Sequence, residues 1–278
     1  MRLDAAVAEA TDRLSTTSDS ARLDAEILLC QCINMARSYL FAHPEDVLDD
    51  LAIGRFDKLL QRRIAGEPIA YIMGVREFWS QNFLVSPATL VPRPETELLV
   101  ELALREIPRQ ANWQVLDLGT GCGAIAIAIA AERQMCDVTA TDISADALAI
   151  AKENVRQASF GNVTCIEGNW TEPVAGRRFS IIVSNPPYVR ADDDRLQTLK
   201  YEPLLALVSG EDGLDAIRVL ARDCGALLEV EGLLLIEHGA EQADAVASIL
   251  AAEDWGNITC HNDLAGMPRV TTARWDGK

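Results

Sequence analysis

The chain is short of histidine, of positive charge and of long apolar runs. Its three His, at positions 43, 238 and 261 of 278, form no ligand cluster, so no metal is expected. Lys and Arg number 25 against 42 Asp and Glu, for a formal net charge of −17. Residues 1–82 carry net −4 and residues 83–278 net −13. Phosphate backbones bind through Lys and Arg with counterion release. The balance therefore argues against a dedicated duplex-DNA binder, and no stable nucleic acid binding is expected. No apolar run reaches the roughly 18–20 residues that span a membrane. The opening stretch MRLDAAVAEATDRL is charged and helical in pattern, unlike an export signal. The seven Cys are odd in number and scattered, which predicts reduced thiols and a cytoplasmic protein. Cys30 and Cys32 lack the two-residue spacer of a zinc knuckle and are expected to be helical core residues.

What remains is an ordinary globular composition, 49% hydrophobic and 24% charged. The length allows one large or two modest domains. Residues 1–70 read as a small helical domain. Leu3, Val7, Ala10 and Leu14 recur at helical spacing. Asp24 opens a second helix, with acid near its positive end. Asp49 or Asp50 caps a third, with Phe56, Leu59, Leu60 and Ile64 on one face. Residues 71–93 alternate aromatic and β-branched residues with polar ones, and Pro87 and Pro92 punctuate them. That pattern predicts a β-hairpin linker. From 94 to 278 strands alternate with Ala- and Leu-rich helices. Strands are expected at 114–118, 137–141, 163–167, 180–184, 232–237 and 269–275, and helices at 125–133, 145–157 and 214–228. Such alternation implies an α/β fold, a mostly parallel sheet covered by helices on both faces. The run Asp192-Asp193-Asp194 is expected to be a solvated loop.

Two motifs in this region carry chemistry. Asn185-Pro186-Pro187-Tyr188 follows the apolar strand Ser180–Ser184. Two prolines cannot continue a central strand, because neither has an N–H for the ladder. The chain must leave the sheet there stiff and extended. An amide and an aromatic ring then sit at the carboxyl edge of a strand, where open α/β sheets bind ligands. The pair suits a flat substrate nitrogen, an amide or an exocyclic amine. The second motif is Asp117-Leu118-Gly119-Thr120-Gly121-Cys122-Gly123-Ala124, a strand running into a glycine turn and a helix. Its glycines permit a tight turn and close backbone approach. Asp142 ends the next strand, where a carboxylate can accept both ribose hydroxyls of an adenosine. NAD and S-adenosylmethionine both satisfy that pattern. Three features favour S-adenosylmethionine. Asp117 would face a cationic ligand better than a pyrophosphate. The sheet ends in a late strand. A dehydrogenase has no use for the Asn-Pro-Pro-Tyr turn.

The sequence resembles the peptide chain release factor N5-glutamine methyltransferases (the HemK/PrmC family) over essentially its whole length. Markers include Gly66–Tyr71, Gly74–Trp79, Val85–Glu97 with its Arg-Pro-Glu-Thr-Glu, and Asp117–Gly121. They continue with Ser184–Tyr188, Tyr201-Glu202-Pro203 and Ile236–Gly239. The resemblance implies a helical N-terminal domain that recognises the substrate, a hairpin, and a class I S-adenosylmethionine-dependent methyltransferase domain. That domain would be Rossmann-like, with an antiparallel last strand. The implied substrate is the glutamine of the Gly-Gly-Gln loop in class 1 release factors, methylated on its side-chain amide by a monomeric enzyme. Gly119, Thr120, Gly121, Cys122 and Gly123 would line the methionine and ribose of the cofactor. Asp142 would hold the ribose, Trp170 would pack beside the adenine, and Asn185 would border the cofactor. Asn185, Pro186, Pro187 and Tyr188 would hold the glutamine. Cys122 stands where Ser or Thr is expected, and Met267-Pro268 replaces more polar residues.

The chemistry expected of these groups is positional. The Asn185 oxygen and the Pro186 carbonyl would accept the two amide hydrogens, while Tyr188 stacks on the amide plane. Asn185, Pro186 and Tyr188 are thus the candidate catalytic residues. Arg62 and Arg63 are candidates for gripping the partner. Rival expectations are a glutamine methyltransferase acting on a ribosomal protein, an adenine-N6 nucleic-acid methyltransferase, an NAD-dependent oxidoreductase and a non-catalytic cofactor-binding protein.

Overall fold

The computed structural model describes residues 1–159 and 161–277. The chain divides into two compact units, Met1–Val75 and the remainder from Arg76.

The first unit is helical: α1 (Leu3–Leu14), α2 (Ala21–Ile33), α3 (Arg37–Ala42), α4 (Asp50–Ile64) and α5 (Ile69–Met73). Asp49 caps α4, its Oδ1 accepting from the Ala52 N–H at 2.6 Å. That cap satisfies one of the free donors of the first turn and contributes about 1 kcal/mol. Asn34 ends α2 in the left-handed conformation (φ 53°). Leu3, Leu14, Leu28, Leu29, Phe56 and Leu60 fill a common core, joined by Cys30 and Cys32. Each such large side chain gains roughly 1.5–3 kcal/mol from burial.

A two-stranded hairpin follows, β1 (Val75–Phe78) and β2 (Gln81–Leu84). Trp79 and Ser80 both take positive φ (50° and 56°), the requirement of a two-residue hairpin turn. Glu97 and Glu77 accept from their N–H groups at 2.9 and 2.8 Å and hold the turn. The hairpin fills only part of the expected 71–93 stretch, and α5 stands at its start.

The second unit continues with α6 (Glu97–Glu106), β3 (Gln114–Leu118), α7 (Ala124–Glu132), β4 (Asp137–Asp142) and α8 (Ala145–Ala158). Then come β5 (Val163–Glu167), β6 (Phe179–Ser184), α9 (Asp215–Asp223), β7 (Leu228–Glu237), α10 (Ala243–Ala252), β8 (Gly256–Asn262) and β9 (Pro268–Arg274). The sheet order is β5-β4-β3-β6-β7-β9-β8. The first five strands pair in parallel, and β9 runs antiparallel between β7 and β8. This is the expected mostly parallel sheet with an antiparallel last strand, the class I methyltransferase arrangement. Chain order leaves β3 toward β4 and β5, then returns to β6 on the other side of β3. The tips of β3 and β6 thus flank the topological switch point, where ligands bind.

Three expectations need correction. The 214–228 helix ends at Asp223 and gives way to a 3-10 turn, Cys224–Leu227. There the Trp275 ring lies against Gly225, where a Cβ would stand 2.6 Å from it. Strand β7 begins at Leu228 rather than at 232, because Leu228 already pairs with Phe179 of β6, ahead of a register shift near which Glu231 takes φ 65°. Strand β8 was not expected. It is a polar edge strand that pairs only β9 and has little buried face to mark it. Among the described residues no helix is long and apolar enough to cross a membrane.

Candidate active site

The glycine loop closes β3 against α7. Gly119, Gly121 and Gly123 all take positive φ (74°, 57° and 86°), which other residues adopt at a cost. A Cβ on Gly119 would touch the Trp170 ring at 3.5 Å, and one on Gly121 would meet no protein atom within 4 Å. The Gly121 backbone therefore faces open space. Asp142, last residue of β4, accepts from Gly121 N–H (2.8 Å) through Oδ2 and from Ser144 N–H (2.9 Å) through Oδ1. Two lone-pair sites of that carboxylate remain for a ligand. Burial raises its pKa, against the opposing pull of those backbone donors. Trp170 holds its ring over Gly119 from a left-handed backbone (φ 45°), a strained conformation of the kind found at functional sites.

These residues line a cavity of about 400 Å³, within the roughly 300–1,000 Å³ typical of small-molecule sites. Its wall takes in Gly119, Thr120, Gly121, Cys122, Asp142 and Trp170, together with Asn185 and Pro187. Both motifs thus meet in one space.

Gly123, Pro186 and Tyr188 do not contribute to that wall. Gly123 is taken up by packing, since a Cβ there would stand 3.4 Å from Ala151 of α8. Pro186 is buried. Tyr188 directs its hydroxyl away, to Glu237 Oε1 at 3.4 Å, and burial keeps the phenol neutral. Asp117 also stands apart from the cavity. It is fully buried beneath the loop, accepts from Thr120 Oγ1 at 2.6 Å, and burial lifts its pKa to about 7. It braces the loop rather than facing a ligand.

Asn185 is held by one end. Its Nδ2 donates to Thr96 Oγ1 at 3.2 Å. Among the described residues its buried Oδ1 has no hydrogen-bond donor. An acceptor shielded from water and unpaired in the protein is costly unless a ligand completes it. The site can therefore accept an N–H at that point.

A model of the PrmC N-terminal domain matches residues 5–74, and one of the methyltransferase small domain matches 95–201. A release factor glutamine methyltransferase of Coxiella burnetii is 43% identical, covering 95% of this chain and 95% of its own. That of Vibrio cholerae is 43% identical over 98% of this chain and 96% of its own. The chain belongs to the release factor glutamine methyltransferase family. A solved methyltransferase from Pyrococcus furiosus shares the fold, with a TM-score of 0.54 at 17% identity, covering 80% of this chain and all of that one.

Membership in this methyltransferase family implies S-adenosylmethionine as methyl donor. The residues present fit it: an open glycine backbone, a carboxylate at the β4 tip and a tryptophan ring share one cavity. The two departures from the family pattern are local. Cys122 lies on the wall, but burial pushes its thiol up to about 12, so it stays a neutral small group. Met267 is exposed in the turn before β9.

Several positioning groups escaped the sequence reading of the family site. Asn154 of α8 donates to the Cys122 carbonyl (2.8 Å) and exchanges two bonds with Leu84 of β2 (2.8 and 3.0 Å), tying loop to hairpin. A single Asn inside a helix gave no signal. Buried Glu202 accepts from Val91 N–H at 3.1 Å and from Arg93, the basic residue on the wall. Arg62 and Arg63 are engaged within the helical unit, by Glu67 at 2.5 Å and Asp24 at 2.7 Å.

Proposed function

We propose that the protein transfers the methyl group of S-adenosylmethionine to the side-chain amide nitrogen (N5) of the glutamine in the Gly-Gly-Gln motif of class 1 peptide chain release factors. One observation carries this reading: Asn185, whose buried Oδ1 is unpaired, lies on the same wall as the glycine loop, Asp142 and Trp170. When bound, S-adenosylmethionine supplies an electrophilic sulfonium methyl and departs as S-adenosylhomocysteine.

The backbone of Gly119, Thr120, Gly121 and Cys122 bounds the donor, Asp142 accepts from its ribose, and Trp170 flanks its adenine. Asn185 Oδ1 accepts an N–H of the substrate amide. A carboxamide nitrogen is a poor nucleophile, because its lone pair is delocalised into the carbonyl. Positive charge grows on that nitrogen in the transition state, so the hydrogen bond to Oδ1 strengthens as the reaction proceeds. The same bond aims the nitrogen, and alignment of two bound reactants can remove up to about 7–11 kcal/mol of barrier. Pro187, Leu205 and Val208 supply apolar wall that keeps water from the nitrogen. Tyr188 braces the turn from behind through Glu237. A methylated, protonated amide is strongly acidic and loses its proton without a dedicated base.

The helical domain, residues 1–70, is assigned to gripping the release factor. Arg62 and Arg63 remain its candidate contacts, Arg62 paired with Glu67 and Arg63 with Asp24 within the unit. Free thiols and this substrate support action in the cytoplasm. The test is methyl transfer from labelled S-adenosylmethionine to a purified class 1 release factor and to its Gly-Gly-Gln→Gly-Gly-Ala variant. Ribosomal proteins and DNA serve as parallel acceptors. Label on wild-type release factor alone is expected. Label on a ribosomal protein or on DNA would assign the chemistry to a different substrate.

A further inference from the structure

The acceptor end of the cavity is assembled from two stretches of chain. Asn185 and Pro187 come from the turn after β6, and Leu205, Val208, Ser209 and Gly210 come from the segment before α9. The two stretches meet at Val189. Its N–H donates to the Leu207 carbonyl at 2.8 Å, and its carbonyl accepts from the Ser209 N–H at 2.9 Å. Beyond Ser209 the chain turns back through Gly210 and Gly213, both at positive φ (74° and 78°).

One side chain ties these stretches together from outside the cavity. Gln242 closes the 3-10 turn Ala240–Gln242 that follows β7. Because β7 lies beside β6, that turn emerges next to Asn185–Tyr188. Gln242 Oε1 accepts from the Gly239 N–H at 2.8 Å. Its Nε2 donates to the Tyr188 carbonyl at 3.1 Å and to the Gly213 carbonyl at 3.3 Å. All three partners are backbone groups. A backbone N–H only donates and a backbone carbonyl only accepts, so the amide has a single rotation that satisfies them.

The packing around this amide is close. A Cβ on Gly213 would stand 2.4 Å from the Tyr188 carbonyl oxygen and 2.9 Å from Gln242 Nε2. Only a glycine lets the 213 backbone reach the turn. Tyr188 in turn lies three residues after Asn185, across two prolines whose rings fix φ. A shift at the Tyr188 carbonyl therefore carries along a stiff segment to Asn185. Gln242 itself is not part of the cavity wall.

We propose that Gln242 is a positioning residue for methyl transfer: its amide locks the Asn185–Tyr188 turn to the 207–213 segment and so fixes the geometry of the acceptor end of the cavity. The proposal rests on the reading above, that this turn receives the substrate glutamine.

Gln242→Glu keeps the shape but turns a carboxylate oxygen toward two carbonyls. Gln242→Met keeps the length and removes every hydrogen bond. Both are assayed for single-turnover methyl transfer to release factor from labelled S-adenosylmethionine already bound, with cofactor Kd and melting temperature alongside. The rate per cofactor-loaded enzyme is expected to fall by about 10- to 100-fold, the scale of an ångström-level misplacement. Cofactor Kd is expected to stay within about 2-fold, since Gln242 does not line the cavity. Gly213→Ala, which pushes the same contact apart from the other side, should show the same split. A merely structural residue would lower the melting temperature and the fraction of enzyme that binds cofactor, yet leave the rate per bound cofactor unchanged. That result in both Gln242 variants would overturn the proposal, and so would equal losses in rate and cofactor affinity. Asn185→Ala is run in parallel. Should it retain the full rate, the underlying reading fails and the proposal with it. A loss in Asn185→Ala without one in either Gln242 variant sinks only the lock.

Discussion

The hydroxyl of Ser184 donates to the backbone carbonyl of Leu118 at 2.8 Å. The same two residues are register partners across β3 and β6. Gly119 and Asn185 therefore leave the sheet from adjacent strand tips, and the donor loop and the acceptor amide share one rigid support. Removing that hydroxyl tests the support. Ser184→Ala is expected to cost about 0.5–1.5 kcal/mol of stability. It should lower kcat several-fold while cofactor affinity holds. Thermal unfolding and initial rates measure both.

Asp142 is expected to govern affinity rather than turnover. Its carboxylate already steadies Gly121 N–H at 2.8 Å and has capacity left for ribose hydroxyls. Asp142→Ala should weaken S-adenosylmethionine binding by about 10- to 100-fold, matching the 1.5–3 kcal/mol of hydrogen bonds to a charged group. At saturating cofactor kcat should change far less. Calorimetric titration together with steady-state kinetics separates the two.

Gly121→Ala probes the open face of the loop. The new Cβ would meet no protein atom within 4 Å. Stability should therefore fall only by the left-handed penalty of about 1–2 kcal/mol. Cofactor binding should fall further, since the methyl group would project where the ligand approaches. Comparing melting temperature with Kd checks this. A loss confined to stability would count against the assignment of the loop.

Two buried carboxyls set an inverted pH dependence of stability. Asp117 and Glu237 are both lifted to about 7 by burial. Their unfolded values lie near 3.8 and 4.5. The folded protein thus keeps two protons that the unfolded chain releases. The stabilisation is full below the unfolded values and is lost as pH rises through about 7. The contribution of these two carboxyls, read as the difference in unfolding free energy between wild type and each amide variant, should decline from about pH 5 to pH 7.5, against an opposing rise from His238 and His261, whose pKa burial lowers. Asp117→Asn and Glu237→Gln should each flatten part of that slope.

Much of this was legible in the sequence. The two prolines at 186 and 187 force the chain out of the sheet wherever they stand, and the glycine turn after 118 requires positive φ. Strong apolar runs marked β3 and β6, both almost wholly buried. Strand β8 was hidden because an edge strand in a polar segment has no apolar face to read. The hairpin tip was hidden because Trp79 and Ser80 take a conformation usually given to Asn-Gly, and side-chain bonds from Glu97 and Glu77 hold it. Within the site, residue type gave Asn185 but not its rotation. Motif membership suggested that all four of Asn185–Tyr188 face the substrate. The Pro186 ring is buried and the Tyr188 hydroxyl meets Glu237, and no local pattern encodes either. Thr96 and Glu237 meet Asn185 and Tyr188 only through tertiary pairing.

The most direct test of the central claim is Asn185→Ala, assayed for cofactor affinity and for single-turnover methyl transfer to release factor. If Oδ1 positions the amide, the transfer rate falls by about 100- to 1,000-fold, the scale of losing one preorganised group in a transition state. S-adenosylmethionine Kd then changes by only about 2-fold, because the bond is made to the substrate. Equal losses in both quantities, or an unchanged rate, would contradict the account.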